Sequence, residues 1–173
     1  MKTLSVVVLL ATATVAITLV RAQAPPPAAL KDPFLDNFVG EWRIERKTGN
    51  GKTTESSVRG EWALNHHWIR LDYGYADKPA QYEAVVFIGY DDAAKRYICH
   101  WMDVYGASES ALGGGELDDA KHALELNFDS KEASLRNTFI FDPQNKSWTS
   151  LIRQTEKREW KTFAEEKWTR LKK

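Results

Sequence analysis

The feature that most constrains the fold is an apolar stretch, residues 81–106, that a polar turn interrupts once. Residues 81–90 and 96–105 are rich in Val, Ile, Phe, Tyr and Trp, whose branched or flat side chains suit a pleated strand. Residues 91–95 have turn chemistry, because Asp side chains accept hydrogen bonds from nearby backbone amides. The stretch therefore predicts two strands of an antiparallel hairpin.

Neither strand of this hairpin alternates cleanly between apolar and polar residues. Along the first strand, one face carries Tyr82, Ala84, Val86, Ile88 and Tyr90. The other face still carries Val85 and Phe87. An antiparallel strand that is apolar on both faces is covered on both, or lies where a sheet curls over on itself. This pattern predicts a closed or nearly closed barrel with a lined interior.

The rest of the chain continues the all-β pattern, with strands spaced by about 8–12 residues and separated by polar turns. The predicted strands begin near residue 40 and cover 53–64, 68–75, 108–116, 122–128, 135–141 and 148–155. The tail, 159–170, has helix-forming residues but also alternates as a strand would. We predict a strand there, since a barrel without a last strand keeps an open edge. The fold class is a single antiparallel β-barrel of about 8–10 strands.

A short helix or turn is expected just before the first strand. Asp32 can cap it and Pro33 suits its first position. Phe34, Leu35 and Phe38 give it an apolar side. We expect this segment to plug one end of the barrel.

The first 24 residues have the features of a signal peptide: an early lysine, an apolar run over residues 4–20 and the small-x-small site Ala22-Gln23-Ala24. The alternative is an uncleaved anchor with Arg21 as its flanking charge. Cleavage is the interpretation we adopt, and it leaves no stable membrane span. It predicts an exported, periplasmic or secreted protein with a Pro/Ala-rich linker at 25–33 and one domain at 34–173.

Charge and cysteine content exclude several classes of partner and fold. The chain has 24 basic and 24 acidic residues, so nothing in its net charge indicates a nucleic acid or an anionic membrane surface as a partner. Cys99 is the single cysteine, so an internal disulfide is excluded and stability must come from packing. We interpret Cys99 as a small buried apolar residue rather than a nucleophile.

Several short motifs resemble those of lipocalin-like (calycin) barrels. The sequence F-V-G-E-W at 38–42 resembles the F-x-G-x-W opening of that superfamily, in which the Trp closes the barrel floor and a late Arg packs across it. Arg170 would be that Arg if the tail is a strand. The chain is more closely similar to a calycin-related family of bacterial proteins of unknown function. That likeness rests on G-E-W-A-L at 60–64, I-G-Y-D at 88–91, W-M-D at 101–103 with Gly106, and G-E at 115–116. It covers about residues 35–170 and implies a lipocalin-like barrel without a settled activity.

Metal and haem binding receive little support from the histidines. His66 and His67 are adjacent and would point to opposite faces of an extended chain. The sequence has no H-x-H, H-E-x-x-H or cysteine-pair pattern, so we expect no metal site. A haem held by His100 is the subtler alternative, although a lone histidine in an apolar strand is more often a hydrogen-bonded core residue. We therefore expect no cofactor.

Catalysis is an alternative that the sequence leaves open. There is no G-x-S-x-G elbow and no recognisable triad spacing. Asp72 and Asp103 lie inside apolar strands, where a carboxylate lining a dry cavity would have a raised pKa and could act as an acid or base. Such an Asp can equally be bonded to Arg or Tyr in the barrel wall. Asp103 with His100 is the first pair to consider, but strict alternation puts the two on opposite faces.

The function that the sequence favours is binding of a small apolar or amphipathic molecule inside the barrel. The chain has 7 Trp, 6 Tyr and 7 Phe, a load that serves either a dense core or a ligand cavity. The predicted ligand-binding residues are Trp62, Trp68, Arg70, Tyr73, His100, Trp101, Asp103 and Tyr105. In the competing interpretation these side chains simply fill the barrel, and the protein is an envelope interaction module with an exposed apolar patch. The sequence leaves the ligand and the oligomeric state open.

Overall fold

The computed structural model describes residues 26–129 and 133–171. The predicted signal peptide, residues 1–24, lies outside the described residues, as does the first residue of the predicted linker. Within the described ranges, no helix has the length and apolar content needed to cross a membrane.

In these two ranges, ten antiparallel strands form one closed barrel, in which each strand pairs with the next along the chain and the first pairs with the last. The strands are β1 (Gly40–Thr48), β2 (Thr53–Ala63), β3 (Trp68–Tyr73), β4 (Ala84–Asp91), β5 (Arg96–Asp103), β6 (Ala111–Asp118), β7 (Ala123–Asp129), β8 (Ser134–Asp142), β9 (Ser147–Glu156) and β10 (Glu159–Arg170). This architecture confirms the predicted all-β antiparallel barrel. Short 3₁₀ turns at Ala107–Glu109 and Asp119–Lys121 lie between strands.

The tail is a strand, as predicted from the need to close the sheet. β10 pairs with β1 from Trp42 opposite Arg170 to Thr48 opposite Ala164. The last part of β10 alternates strictly, with Ala164, Glu166 and Trp168 turned into the barrel and nearly inaccessible to solvent. Backbone pairing with β1 therefore outweighs the helical propensity of this segment.

The central hairpin, β4 and β5, is apolar on both faces because each face is at least partly covered. Val86, Ile88 and Cys99 point into the barrel and are fully buried. The outer face is partly covered by residues 27–31, which run along it; the Leu30 amide donates to the His66 carbonyl at 3.0 Å. Farther along the outer face, Met102 on β5 and Leu112 on β6 remain 41% and 65% exposed.

A helix of one turn, α1 (Pro33–Asp36), plugs one end of the barrel. Asp32 caps it as predicted, since its Oδ1 accepts from the amides of Phe34 and Leu35 at 2.9 Å. Phe38, just after α1, stacks on Trp148 with ring centroids 4.0 Å apart and an interplanar angle of 9°. We call this end of the barrel the plugged end.

Gly60 lets the plug approach the wall. A glycine in mid-strand often marks a bend or bulge, but the pairing of β2 with β3 runs through Gly60 in continuous register. A Cβ at position 60 would collide with the backbone carbonyl of Phe38. The glycine is therefore required by close packing of two backbones.

Trp42 and Arg170 close the floor beneath the plug. The indole Nε1 of Trp42 donates to the Phe38 carbonyl at 2.9 Å. The Arg170 guanidinium carbon lies 4.3 Å from the Trp42 ring centroid, and its Nη1 donates to the Val39 carbonyl at 2.9 Å. The arrangement ties β1, β10 and the plug together.

Candidate functional site

The interior of the barrel differs between its two ends. At the plugged end, Leu35, Phe38, Trp42 and Trp168 are 0% exposed. At the opposite end, which we call the open end, several inward-facing side chains are only half-buried. They are Arg46, Tyr82, Trp101, Asp103, Ala111 and Leu135. Solvent therefore reaches polar lining residues at the open end, whereas the half-buried side chains at the plugged end include Trp62, Tyr90 and Leu117.

An ion pair between Arg46 and Glu166 spans the closing strands β1 and β10 below the open end. The Arg46 Nε donates to Glu166 Oε1 at 2.7 Å, and Arg46 Nη2 contacts the same oxygen. The Trp168 Nε1 donates to Glu166 Oε2 at 2.9 Å. The side chains of Arg46 and Glu166 are 21% and 1% exposed, respectively. Burial lowers the pKa of Arg46, but attraction and hydrogen bonding to Glu166 outweigh it and the net shift is upward.

A second polar chain joins β5 to the segment before β4. The Trp101 Nε1 donates to Tyr82 Oη at 2.9 Å, and Tyr82 Oη donates to Asp103 Oδ2 at 3.0 Å. The backbone amide of Tyr105 donates to the other oxygen of Asp103 at 3.0 Å. Burial raises the pKa of Tyr82, and the neighbouring Asp103 carboxylate adds to the rise. Tyr82 is therefore a neutral hydroxyl that donates its hydrogen bond to Asp103.

Tyr73 lies between these two polar groups and has a buried hydroxyl of its own. Its ring centroid is 5.7 Å from that of Trp168, on the side of the plug, and 5.3 Å from that of Trp101, toward the open end. Tyr73 is 4% exposed. In the described part of the chain, its Oη is the one buried side-chain polar atom without a hydrogen-bond partner. Burial raises its pKa well above the usual value, so the hydroxyl keeps its proton.

One wall of the interior carries a further polar pair. The Ser150 Oγ donates to Asn137 Oδ1 at 2.8 Å, and both residues are essentially inaccessible to solvent. In the register, Ser150 is the Cα partner of Glu166, which places this pair on the strands next to the buried ion pair. The open half of the barrel is thus lined by aromatic rings and by several hydrogen-bonded polar groups.

Four residues that line the interior were not predicted from the sequence: Arg46, Asn137, Ser150 and Glu166. Their signal was the alternation itself, because Glu166 falls between the inward Ala164 and Trp168. Tyr82 was grouped with Ala84, Val86 and Ile88 on one face of the hairpin, but the sequence left open which face points inward, and Tyr82 was not singled out as a site residue.

The predicted ligand-binding residues are distributed over the whole barrel. Tyr73, Trp101 and Asp103 point inward toward the open end, Trp62 lies at the plugged end, Tyr105 lies at the rim, and Trp68, Arg70 and His100 point outward. Tyr105 is 72% exposed, with its ring centroid 6.3 Å from that of Tyr82. Three of the predicted residues, Tyr73, Trp101 and Asp103, therefore line the open end of the barrel together with Arg46 and Tyr82.

The outward residues have partners on the outer surface, and Trp62 belongs to the plug. The Trp62 Nε1 donates to Asp36 Oδ1 of α1 at 2.9 Å. Asp72, which also points outward, accepts from Arg70 Nε at 2.9 Å and from Arg59 Nη2 at 3.2 Å. Asp72 is thus an arginine-bonded residue of the barrel wall, one of the two roles considered for it.

Asp103 and His100 do not form a catalytic pair. Asp103 points into the barrel, whereas His100 is exposed on the outer face with its ring centroid 5.5 Å from that of Trp68. His100 therefore cannot reach a haem or substrate bound inside. Across residues 26–129 and 133–171, no three His, Cys, Asp or Glu side chains are grouped closely enough to hold a metal ion.

Among the described residues, two of the grooves on the outer surface of the barrel lie away from its interior. The first runs between residues 27–31 and the strands β3 to β5, and includes Trp68. The second lies at the plugged end, beside Arg170 and the turn that contains Lys146. Neither groove is lined by Arg46, Tyr73 or Asp103, so neither contains the polar chemistry of the interior.

Comparisons with known proteins identify a family but no activity. The model of a family described as "Protein of unknown function (DUF1579)" matches residues 31–170. A comparison with curated proteins found no match. Among solved structures, a redesigned β-barrel is 9% identical, with 80% of this chain and 95% of that chain covered and a TM-score of 0.35. A structural similarity this low supports no conclusion about this chain.

Proposed function

Since the chain belongs to the DUF1579 family, whose description assigns no activity, we propose a function from its own site: the open end of the barrel binds a small amphipathic molecule. The observation that carries the proposal is the contrast between the two ends of the interior. At the plugged end Phe38, Trp42, Trp148 and Trp168 pack together at 0–1% exposure, whereas the half-buried lining of the open end includes the polar side chains of Arg46, Tyr82 and Asp103.

The composition of the open end supports binding of a partly apolar molecule. Small-molecule sites are mostly apolar, with a few placed polar groups that orient the ligand, and barrel mouths are a usual location for them. Here the rings of Tyr73, Tyr82 and Trp101 provide apolar surface beside the Arg46–Glu166 pair and Asp103. A barrel stabilised by packing alone would gain from replacing such buried polar groups with apolar ones.

We also propose export from the cytoplasm and kinship with lipocalin-like barrels. Export is supported by the signal-peptide features of residues 1–24. Kinship is supported by the stacking of Arg170 on Trp42, 4.3 Å from the ring centroid, beneath a motif that resembles the lipocalin opening. In this proposal the protein carries its ligand in the periplasm or outside the cell.

Titration with the uncharged fluorescent probe N-phenyl-1-naphthylamine tests the binding function. We expect probe emission to rise and the emission of the Trp residues to be quenched, because Trp101 would lie against the bound probe. Trp101→Ala should weaken binding by at least about tenfold, as expected for loss of an aromatic wall. The matched control is Trp160→Ala, since Trp160 is 42% exposed and its ring faces Arg136 on the outside of the barrel.

Circular dichroism would establish that both variants are folded. Equal probe affinity in the two folded variants, or no uptake of the probe by the wild-type protein, would refute binding at the open end.

A further inference from the structure

We propose that the molecule bound at the open end carries an uncharged hydrogen-bond acceptor, such as the oxygen of a ketone, ester or amide, which accepts the proton of Tyr73 Oη. The inference rests on the proposed binding function and names the chemical class of the ligand. It follows from three properties of the site: which hydrogen bonds are already made, how the charges balance, and what surrounds the free hydroxyl.

The hydrogen bonds of the neighbouring polar groups are made within the protein. Glu166 accepts from Arg46 and Trp168, and Asp103 accepts from Tyr82 and from the Tyr105 amide. The Tyr73 hydroxyl remains without a partner in the described ranges. Buried polar groups in folded proteins nearly always have a hydrogen-bond partner, so an unpaired hydroxyl in an otherwise satisfied cluster points to an acceptor that arrives with the ligand.

The balance of charges disfavours an anionic head group. The lining holds one guanidinium, Arg46, against two carboxylates, Glu166 and Asp103. An anionic ligand would bring a third negative charge to a site whose arginine is already paired, and a buried charge without a partner is costly.

A cationic head group would meet a different obstacle. It would be drawn to the aromatic faces, but the Arg46 guanidinium carbon already lies 5.4 Å from the Tyr82 ring centroid. A cationic head group would therefore have to lose its hydration shell next to the positive charge of Arg46.

The surroundings of Tyr73 suit a carbonyl on an apolar body. Its ring lies among those of Trp168, Trp101 and Tyr82, with centroid distances of 5.7, 5.3 and 6.4 Å. A hydrogen bond in such a dry setting is stronger than one exposed to water. The alkyl or aromatic part of the ligand would then extend toward the half-buried residues of the open end.

Competition for bound N-phenyl-1-naphthylamine tests the head-group class. The competitors are a methyl ketone, a carboxylate and a trimethylammonium compound with the same alkyl chain. We expect the ketone to displace the probe at a concentration about tenfold below that of either charged compound. Equal potency of the three, or a preference for the carboxylate or the cation, would overturn the inference while leaving the binding function intact. Failure of the wild-type protein to take up the probe would instead remove the binding function itself.

The Tyr73→Phe variant provides a second test, because protein stability and ketone affinity should respond to it differently. Removal of an unpaired buried hydroxyl should leave the melting temperature of the ligand-free protein unchanged or raise it, whereas the loss of a hydrogen bond should weaken the ketone by about tenfold. The affinity of the variant for the probe, which has no carbonyl, should stay within about twofold of wild type.

The matched control for this variant is Tyr75→Phe. Tyr75 faces Arg59 on the outer surface, so its hydroxyl should not affect the ketone. A Tyr73→Phe variant that is folded, binds the probe and keeps wild-type affinity for the ketone would refute the assignment of Tyr73.

Discussion

Replacing Arg46 by methionine should lower the free energy of unfolding by about 3–5 kcal/mol, because it leaves the Glu166 carboxylate buried without its cation. Glu166 is 1% exposed, and Trp168 Nε1, at 2.9 Å, would remain as a donor to it. The attraction lost between two unit charges about 4 Å apart is about 4 kcal/mol at an effective dielectric constant of about 20. Methionine keeps most of the volume of the arginine stem, so the effect of a new cavity is small.

The double variant Arg46→Met/Glu166→Leu separates loss of the ion pair from loss of packing. With both charges removed, no unpaired buried ion remains, and stability should return to within about 1 kcal/mol of wild type. The coupling between the two sites should therefore be at least about 2 kcal/mol.

Urea denaturation followed by Trp fluorescence measures all of these changes, provided that the m-values agree among variants. A loss below about 1 kcal/mol in the single variant, or strict additivity in the double variant, would show that water or other groups solvate Glu166 and would refute the buried-pair argument.

Three further predictions concern the plug, the wall and the response to pH. Phe38→Ala should cost about 3–5 kcal/mol in urea denaturation because it removes a fully buried ring from the plug, while Phe163→Ala, at a position 42% exposed, should cost less than about 1 kcal/mol; similar losses would contradict the packing described. Gly60→Ala should lower stability by about 1–3 kcal/mol because its Cβ meets the Phe38 carbonyl, and a neutral effect on the melting temperature would mean that the plug can move aside. Burial raises the pKa of Tyr73 in the folded state, so its titration leaves stability unchanged below about pH 10 and lowers stability as pH rises beyond it, with a slope of about 1.4 kcal/mol per pH unit for each such group. Tyr73→Phe should make that slope in urea denaturation shallower by about one proton; an unchanged slope would assign the alkaline loss to other groups.

The barrel was predictable because its strands have to satisfy backbone hydrogen bonds in a closed sheet. The two-faced hairpin at 81–106 indicated curvature, and the strand at β10 followed from the need to pair β1. Local propensity alone would have made 159–170 a helix. The alternation of residues from Ala164 to Trp168 correctly indicated a strand, because a period of two matches a barrel wall with one buried face.

The candidate site was harder to predict, because side-chain direction depends on register across strands far apart in sequence. Trp68 and His100 sit in apolar strands, yet both face outward, where their neighbours and residues 27–31 account for the apolar character. Arg46 and Glu166 look like ordinary surface charges in sequence. Their burial becomes evident only when β1 and β10 are paired, since residues 46 and 166 are then Cα partners. The unpaired hydroxyl of Tyr73 has no sequence signal at all.

The pairing of β1 with β10 has a consequence for synthesis and folding. Position 42 meets position 170, so the contacts that complete the barrel are among the most distant in the sequence. During synthesis, one edge of β1 stays unpaired until β10 has been made. Folding rates also fall as native contacts become more distant in the sequence. A chain cut before residue 159 would leave both β1 and β9 unpaired along one side, and such exposed strands recruit other chains into aggregates.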